Sequence, residues 1–257
     1  VDQAKTITAL NLTGVELEEQ KWRFYPGGAT AAHVLGFLGY QGNDYSGRYG
    51  LEKYYDNVLR RAESLTFSSF LSRIFGGLTD ISSAANQTGD IVTTIEPTAQ
   101  RFLERELESI DATWQPTLTG GIIMDPQTGA ITALAARPTF DPNGRQSDIK
   151  YLANPLVERV YEMGSIVKPF TVSAGLDAKV ITSTSTYDDL GVAIFGGKEI
   201  WNFDRRGRGI VSMQEVLNQS LNTGAIYIMQ QLGGDRFEKY FQDFGLLGEK
   251  TGIDLPG

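Results

Sequence analysis

The sequence predicts an α+β fold, and three observations carry that prediction. Strand-like segments pair around tight turns: 121–125 and 130–135 flank Pro126-Gln127-Thr128-Gly129, and 192–195 and 198–201 flank Gly196-Gly197. Helical periodicity is segregated from these hairpins, after Pro97 and again from Ser212 onward, which argues against a wound parallel sheet. Neither an internal repeat nor a Gly-x-Gly-x-x-Gly fingerprint is present.

Composition sets the outer bounds. The chain has 257 residues, 41% of them apolar, enough to bury a core in one large domain or two ordinary ones. A net charge of −8 argues against a nucleic-acid partner, because phosphate binding needs a basic face. Arg205, Arg206 and Arg208 form the nearest thing to a basic cluster and read as a polar turn. With no cysteine, a thiol nucleophile, a thiolate-held zinc and a disulfide frame are excluded. His33 is the single histidine and sits among apolar residues, so a packed structural role is expected rather than a ligand or a triad base. No cofactor and no metal are expected. The first residues carry no apolar run of about 18 residues or more, and both ends read as cuts in a longer chain.

Taken in order, Tyr25-Pro26-Gly27-Gly28 is a turn signal, 31–39 is apolar and small, and Tyr49 begins a helix running towards Leu59. Residues 62–88 are apolar and then polar; their apolar part reads as an ordinary packed helix, with a membrane-touching amphipathic helix as the alternative. A domain boundary is placed at 88/89, dividing residues 1–88 from 89–257. Asp90 to Ile95 is β-branched and strand-like. Pro97 suits a first helical turn, and Ala99, Phe102, Leu103, Leu107 and Ile110 follow at helical spacing. Glu104, Glu106 and Glu108 read as a solvated face of that helix. Ser212-Met213-Gln214-Glu215 is a capping box that starts a helix reaching about Asn218. Two more helices are read over 223–232 and 236–244.

The chemistry concentrates in Gly164-Ser165-Ile166-Val167-Lys168-Pro169-Phe170. A serine and a lysine three apart share one helical face. At a helix start the serine oxygen meets free N–H groups and a favourable dipole. The lysine takes the serine proton if burial lowers its pKa, a route that needs no histidine. Pro169 cannot donate to the Ser165 carbonyl, so the first turn is expected to be irregular. Ser-x-x-Lys arises by chance about once in a chain this long, and a second copy, Ser147-Asp148-Ile149-Lys150, is indeed present. It follows a turn-rich loop and leads into no apolar helix, so it reads as surface. Ser220-Leu221-Asn222 is a second weak pattern, read either as a proton relay and a substrate-holding amide or as a capped turn between helices. In this order and 55 residues apart, the two patterns reinforce each other.

Tyr161 to Phe170 resembles the first active-site motif of penicillin-binding proteins, and Ser220-Leu221-Asn222-Thr223-Gly224 resembles the second. Asp90 to Gln100 is similar to the segment opening the transpeptidase domain. Gly121 to Pro138 with Phe140-Asp141-Pro142-Asn143 resembles its first hairpin and exit. Tyr25 to Gly39 and Gly50-Leu51-Glu52-Lys53-Tyr54-Tyr55 resemble the non-catalytic pedestal of the class B branch, as does the 251–257 stretch a class B segment. The resemblance covers nearly all of the chain except about 62–88.

It implies an incomplete penicillin-recognising transpeptidase domain over 89–257, preceded by part of a pedestal or dimerisation domain over 1–88. It implies acyl transfer between peptidoglycan stem peptides, with Ser165 as nucleophile, Lys168 as base, Ser220 as proton shuttle and Asn222 positioning substrate. β-Lactams would acylate Ser165, a polytopic membrane glycan polymerase would be the partner, and the protein would act on the outer face of the bacterial cytoplasmic membrane, held by an N-terminal helix. The family's third motif is Lys-Thr-Gly or Lys-Ser-Gly on a strand beside the serine. Lys250-Thr251-Gly252 matches in letters, but it comes 28 residues after Asn222 and follows a helix, so the true motif is expected beyond Gly257 and the fragment is expected to be inactive alone. The alternatives are a catalytically dead scaffold of a wall-synthesis complex, or a β-lactam hydrolase or sensor of the same fold.

Overall fold

The computed structural model describes every residue except 1, 16, 18–21, 43, 60–88, 145–147, 249 and 257. It divides into two units, residues 1–159 with 254–257, and residues 160–253. The boundary expected at 88/89 and the apolar 62–88 segment fall on or against residues outside the described set.

In the first unit, helices α1 (Asp2–Ala9), α2 (Ala32–Leu35), α3 (Gly50–Tyr54) and α4 (Asp56–Leu59) precede the long α5 (Pro97–Trp114), with α6 (Pro155–Glu158) last. Two antiparallel hairpins, β1 (Leu38–Gln41) with β2 (Asp44–Gly47) and β3 (Thr119–Met124) with β4 (Ile131–Arg137), supply its strands. The helix expected from Tyr49 to Leu59 is broken at Tyr55 into α3 and α4. The β3–β4 hairpin forms where its turn residues place it.

Helix α5 starts as Pro97 requires. The Glu96 carboxylate accepts from the N–H groups of Thr98 and Ala99 at 2.9 and 2.6 Å, which holds its pKa below the ordinary glutamate value. One turn on, Gln100 is fully buried and takes the place of a neighbouring strand. Its amide accepts from Leu134 N at 2.9 Å and donates to Leu134 O at 3.0 Å. Leu103 lies over Gly121, where a Cβ would sit 2.8 Å from Leu103 Cδ1, so this helix approaches the hairpin closely because β3 lacks a side chain there.

Three expectations for this region are corrected. Asp90 to Ile95 forms no strand: the Thr94 hydroxyl and the N–H of the following Glu96 reach β4 (2.6 Å to Ile131 O and 2.8 Å to Thr132 O), and Val92 is 96% exposed. Glu104 does not face water. It accepts from Ala31 N at 2.7 Å and Gln100 Nε2 at 2.8 Å, anchoring the α2 turn to α5. The inward stripe of α5 is therefore Gln100, Leu103, Glu104 and Leu107, while Phe102 and Ile110 are exposed.

The Tyr25 turn is tied to the loop after β4 by two bonds, Tyr25 N to Asn143 Oδ1 at 2.9 Å and Asn143 Nδ2 to Tyr25 O at 2.8 Å. His33 is buried, as its apolar setting predicts, with its ring edge-on to Phe140 at 5.1 Å. Its Nε2 lies 2.9 Å from Tyr151 O, and a carbonyl only accepts, so Nε2 carries the proton of a neutral ring. Burial pushes its pKa below 6.5. As pH falls the unfolded chain takes up this proton first, so stability is full above about pH 6.5 and is lost as pH drops towards the folded value. Denaturation followed across pH 5–8 should show this slope, and His33→Gln should flatten it.

In the second unit, α7 (Lys168–Asp177), α8 (Met213–Asn218), α9 (Asn222–Leu232) and α10 (Gly234–Asp243) combine with two antiparallel strand pairs. Strand β6 (Val192–Phe195) pairs with β7 (Lys198–Trp201) across Gly196 and Gly197, both at positive φ as a two-residue turn demands. Strands β5 (Thr186–Asp189) and β8 (Gly209–Ser212) pair around that hairpin, an arrangement the local pattern does not announce. Val172, Ala174, Ile181, Tyr187, Met213, Val216, Leu221, Ile228 and Leu232 form the core. Helix α8 starts at Met213, but the capping box does not close: Ser212 makes no side-chain cap, and Glu215 binds Asn218 and Gln219 instead. Among the described residues no helix is long and apolar enough to cross a membrane.

Candidate active site

Ser165 lies in a 3₁₀ turn, Gly164–Val167, that runs directly into α7. Gly164 sits at φ 61°, a conformation that glycine adopts without strain. The difficulty raised by Pro169 is resolved by this turn: Lys168 N–H, not residue 169, donates to Ser165 O. Pro169 then falls at the second position of α7, where a missing N–H costs nothing.

The structure brings Ser165, Lys168 and Ser220 together. Lys168 is 8% exposed, and its Nζ lies 3.2 Å from Ser165 Oγ, 3.0 Å from Ser220 Oγ and 2.5 Å from Ser220 O. Burial lowers its pKa from the ordinary lysine value. As an ammonium it satisfies these three acceptors with its three protons. Once neutral, it has a lone pair that must face a hydroxyl, since the Ser220 carbonyl has no proton to give. The same nitrogen therefore reaches both serine hydroxyls and can pass a proton between them.

Ser220 sits in the turn from α8 to α9 in the left-handed conformation, at φ 54°. That turn is closed by Ser220 N to Leu217 O at 3.2 Å and Leu221 N to Val216 O at 2.9 Å. A side chain at this φ costs on the order of 1 kcal/mol, and here it points the carbonyl and hydroxyl of one residue at Lys168. Ser220→Gly is accordingly expected to melt no lower than wild type, and up to about 1 kcal/mol higher in stability. It should nevertheless lose function, which calorimetry and an activity assay on the same variant will separate.

Asn222 is the first residue of α9. Its Nδ2 donates to Trp201 O at 2.8 Å, which tethers the amide to the end of β7. Helix α9 packs tightly against α8: a Cβ at Gly224 would come 2.3 Å from Val216 Cγ2 and 2.9 Å from the Tyr187 hydroxyl.

The remaining candidates fall elsewhere. Ser147 lies outside the described residues, while Lys150 of that copy is exposed and paired with Asp148 at 3.1 Å. Lys250, Thr251 and Gly252 belong to no helix or strand. The arginine cluster is a turn: Arg208 pairs with Asp204 at 2.9 Å and with Asp189 at 3.5 Å. Among the described residues no cluster of His, Asp and Glu could hold a metal ion. A cavity of about 390 Å³ in the first unit, lined by Thr30, Arg101, Glu104 and Arg137 among others, holds no serine–lysine pair. Sequence reading missed the buried polar residues under the Ser220 turn, namely Asp189, Asn202 and Thr223. Their local signal is an aspartate ending one strand and an asparagine just past another.

Comparison with known proteins agrees with this frame. The family model described as the penicillin binding protein transpeptidase domain matches residues 119–257, and that of the penicillin-binding protein dimerisation domain matches residues 2–72. The chain belongs to the penicillin-binding protein transpeptidase family. The dimerisation domain beside the transpeptidase domain marks it as a class B member of that family.

Stage V sporulation protein D of Bacillus subtilis is 34% identical over 261 residues, which cover 100% of this chain and 40% of that protein. The probable peptidoglycan D,D-transpeptidase FtsI of Caulobacter vibrioides is 32% identical over 247 residues, 95% of this chain and 38% of that protein. Penicillin binding protein 3 of Mycobacterium tuberculosis, solved in complex with aztreonam, superposes with a TM-score of 0.74 at 25% identity, over 93% of this chain and 49% of that one. The chain thus spans about two fifths of the length of the curated relatives it matches.

Proposed function

We propose that the whole protein is a peptidoglycan D,D-transpeptidase that cross-links stem peptides through an acyl-enzyme at Ser165. The observation that carries this reading is the position of Lys168 Nζ, buried and within hydrogen-bond reach of both Ser165 Oγ and Ser220 Oγ. Ser165 Oγ attacks the carbonyl between the two terminal D-alanines as Lys168 takes its proton. The C–N bond breaks, and Ser220 relays the proton to the leaving amine. Asn222 holds the donor peptide. An amine of a neighbouring stem then attacks the ester, forms the cross-link and returns the Ser165 hydroxyl. A β-lactam enters the first half of this sequence and stays on Ser165. The names of the relatives and the antibiotic complexes of the Mycobacterium tuberculosis protein support this reading.

In this proposal residues 1–88 are part of the pedestal and dimerisation domain with its linker, and 89–257 are the first part of the transpeptidase domain. The protein works at the outer face of the cytoplasmic membrane, held by an N-terminal helix, beside a polytopic glycan polymerase. The test is to label the whole protein with a fluorescent penicillin and map the adduct. The label is expected on Ser165, to persist well beyond minutes, and to vanish in Ser165→Ala. An adduct on another residue, or none, would overturn the assignment, and release by water within minutes would point to a hydrolase.

A further inference from the structure

We propose that Asp189, acting through Asn202 and Thr223, is a positioning residue that sets the Ser220–Asn222 turn for reaction. The inference rests on the functional reading of that turn given above.

Helix α9 is badly capped by its own sequence. Its N-cap is Leu221, which has no side-chain oxygen and makes no cap bond, so the first N–H groups of α9 need partners from elsewhere. Asn202, just past β7, supplies one: its Oδ1 accepts from Thr223 N at 3.3 Å. The preceding residue, Trp201, holds the Asn222 amide through its carbonyl. The start of α9, and with it the turn bearing Ser220, is thus pinned to the end of β7 at two adjacent positions.

Asp189 fixes that pin. It is 1% exposed at the end of β5, and a carboxylate without water must be fully supplied with donors. Its Oδ1 accepts from Thr223 Oγ1 at 2.8 Å, from Asn202 Nδ2 at 2.9 Å and from Gly191 N at 2.9 Å. Arg208 stands 3.5 Å from Oδ2. The Thr223 hydroxyl, having given its proton to Asp189, accepts from Tyr187 OH at 3.1 Å. Four segments of the second unit therefore meet at one buried charge, and displacing any of them leaves that charge short of a donor. Ser220 itself is exposed and held at φ 54°, bonded to Leu217 O and to Lys168, so the buried network lies beside it, at the start of α9.

The test uses the whole protein, a fluorescent penicillin, and Thr223 variants that separate hydroxyl from shape. Thr223→Val keeps the volume and loses the hydroxyl; it is expected to slow acylation of Ser165 by roughly ten- to a hundredfold, the factor a hydrogen bond to a charged group is worth. Thr223→Ser loses the methyl group and keeps the hydroxyl, and it should acylate near the wild-type rate even if it melts lower. Packing alone would reverse that ranking and overturn the proposal. Should Thr223→Val fail to fold, Asn202→Ala removes the cap by another route, and wild-type acylation in that variant would equally overturn it. A wild-type protein that carries no label on Ser165 would instead bring down the transpeptidase reading underneath.

Discussion

Lys168→Ala is expected to slow acylation of Ser165 by roughly 10²- to 10⁴-fold, the range associated with loss of a general base. The geometry makes this a test of base chemistry rather than of charge. Lys168 Nζ touches both serine hydroxyls, and its burial opposes the ammonium form. Lys168→Arg is expected to be as slow as Lys168→Ala, because a guanidinium stays protonated and cannot accept the serine proton. If arginine restored the rate, the lysine would be a cationic anchor and the base would have to be sought elsewhere. The pH dependence has a definite sign. In the proposed mechanism the neutral form of Lys168 is the competent one, and burial lowers its pKa, so wild-type acylation should rise with pH through a value below the ordinary lysine pKa. That rising limb should disappear in both variants. Stopped-flow labelling with a fluorescent penicillin across pH 6–10 measures it.

The parts of this molecule that were legible in the sequence are those fixed by neighbours along the chain. The β3–β4 and β6–β7 hairpins follow from turn residues between strand-like runs; the β6–β7 register agrees with its turn, while β3–β4 slips by one residue between Ile123 and Met124. Ser165 and Lys168 are three apart, so any helical turn brings them onto one face. What the sequence could not show depends on partners far away. Asp90 to Ile95 has strand-like residues, but it meets β4 through the Thr94 hydroxyl and the N–H of the following Glu96 rather than through a ladder, because strand formation is decided by a neighbour and not by β-branching. Glu104 reads as solvent-facing by charge, yet the α2 turn presents it with an N–H from 73 residues away. Glu215 occupies the capping-box position and is taken by Asn218 and Gln219 instead. The network at Asp189 joins residues 189, 202 and 223, which no periodicity relates. The irregular first turn that Pro169 requires is there, as an i to i+3 bond from Lys168 N to Ser165 O.

The second large effect concerns the 257-residue chain by itself. It is expected to be acylated at least about 10²-fold more slowly than the whole protein, the usual effect of losing one oxyanion donor. In the proposed mechanism the Ser165 N–H is one such donor, at the start of a helical turn. The second should come from a strand running beside the serine. The Lys-Thr-Gly letters at 250–252 do not supply that strand, since those residues lie in no strand and Lys250 and Thr251 are exposed. Lys168 already contacts Ser165 and Ser220, so the proposed proton path should be intact while charge developing on the attacked carbonyl should be only half stabilised. Rate constants for labelling of the chain and of the whole protein, measured side by side, decide the matter. If the chain takes up no label at all, Ser165→Ala should make no further difference; if it labels slowly, Ser165→Ala should remove that label. Full-stoichiometry labelling of the chain at Ser165, at the rate of the whole protein, would mean that residues 1–257 already contain a complete oxyanion site.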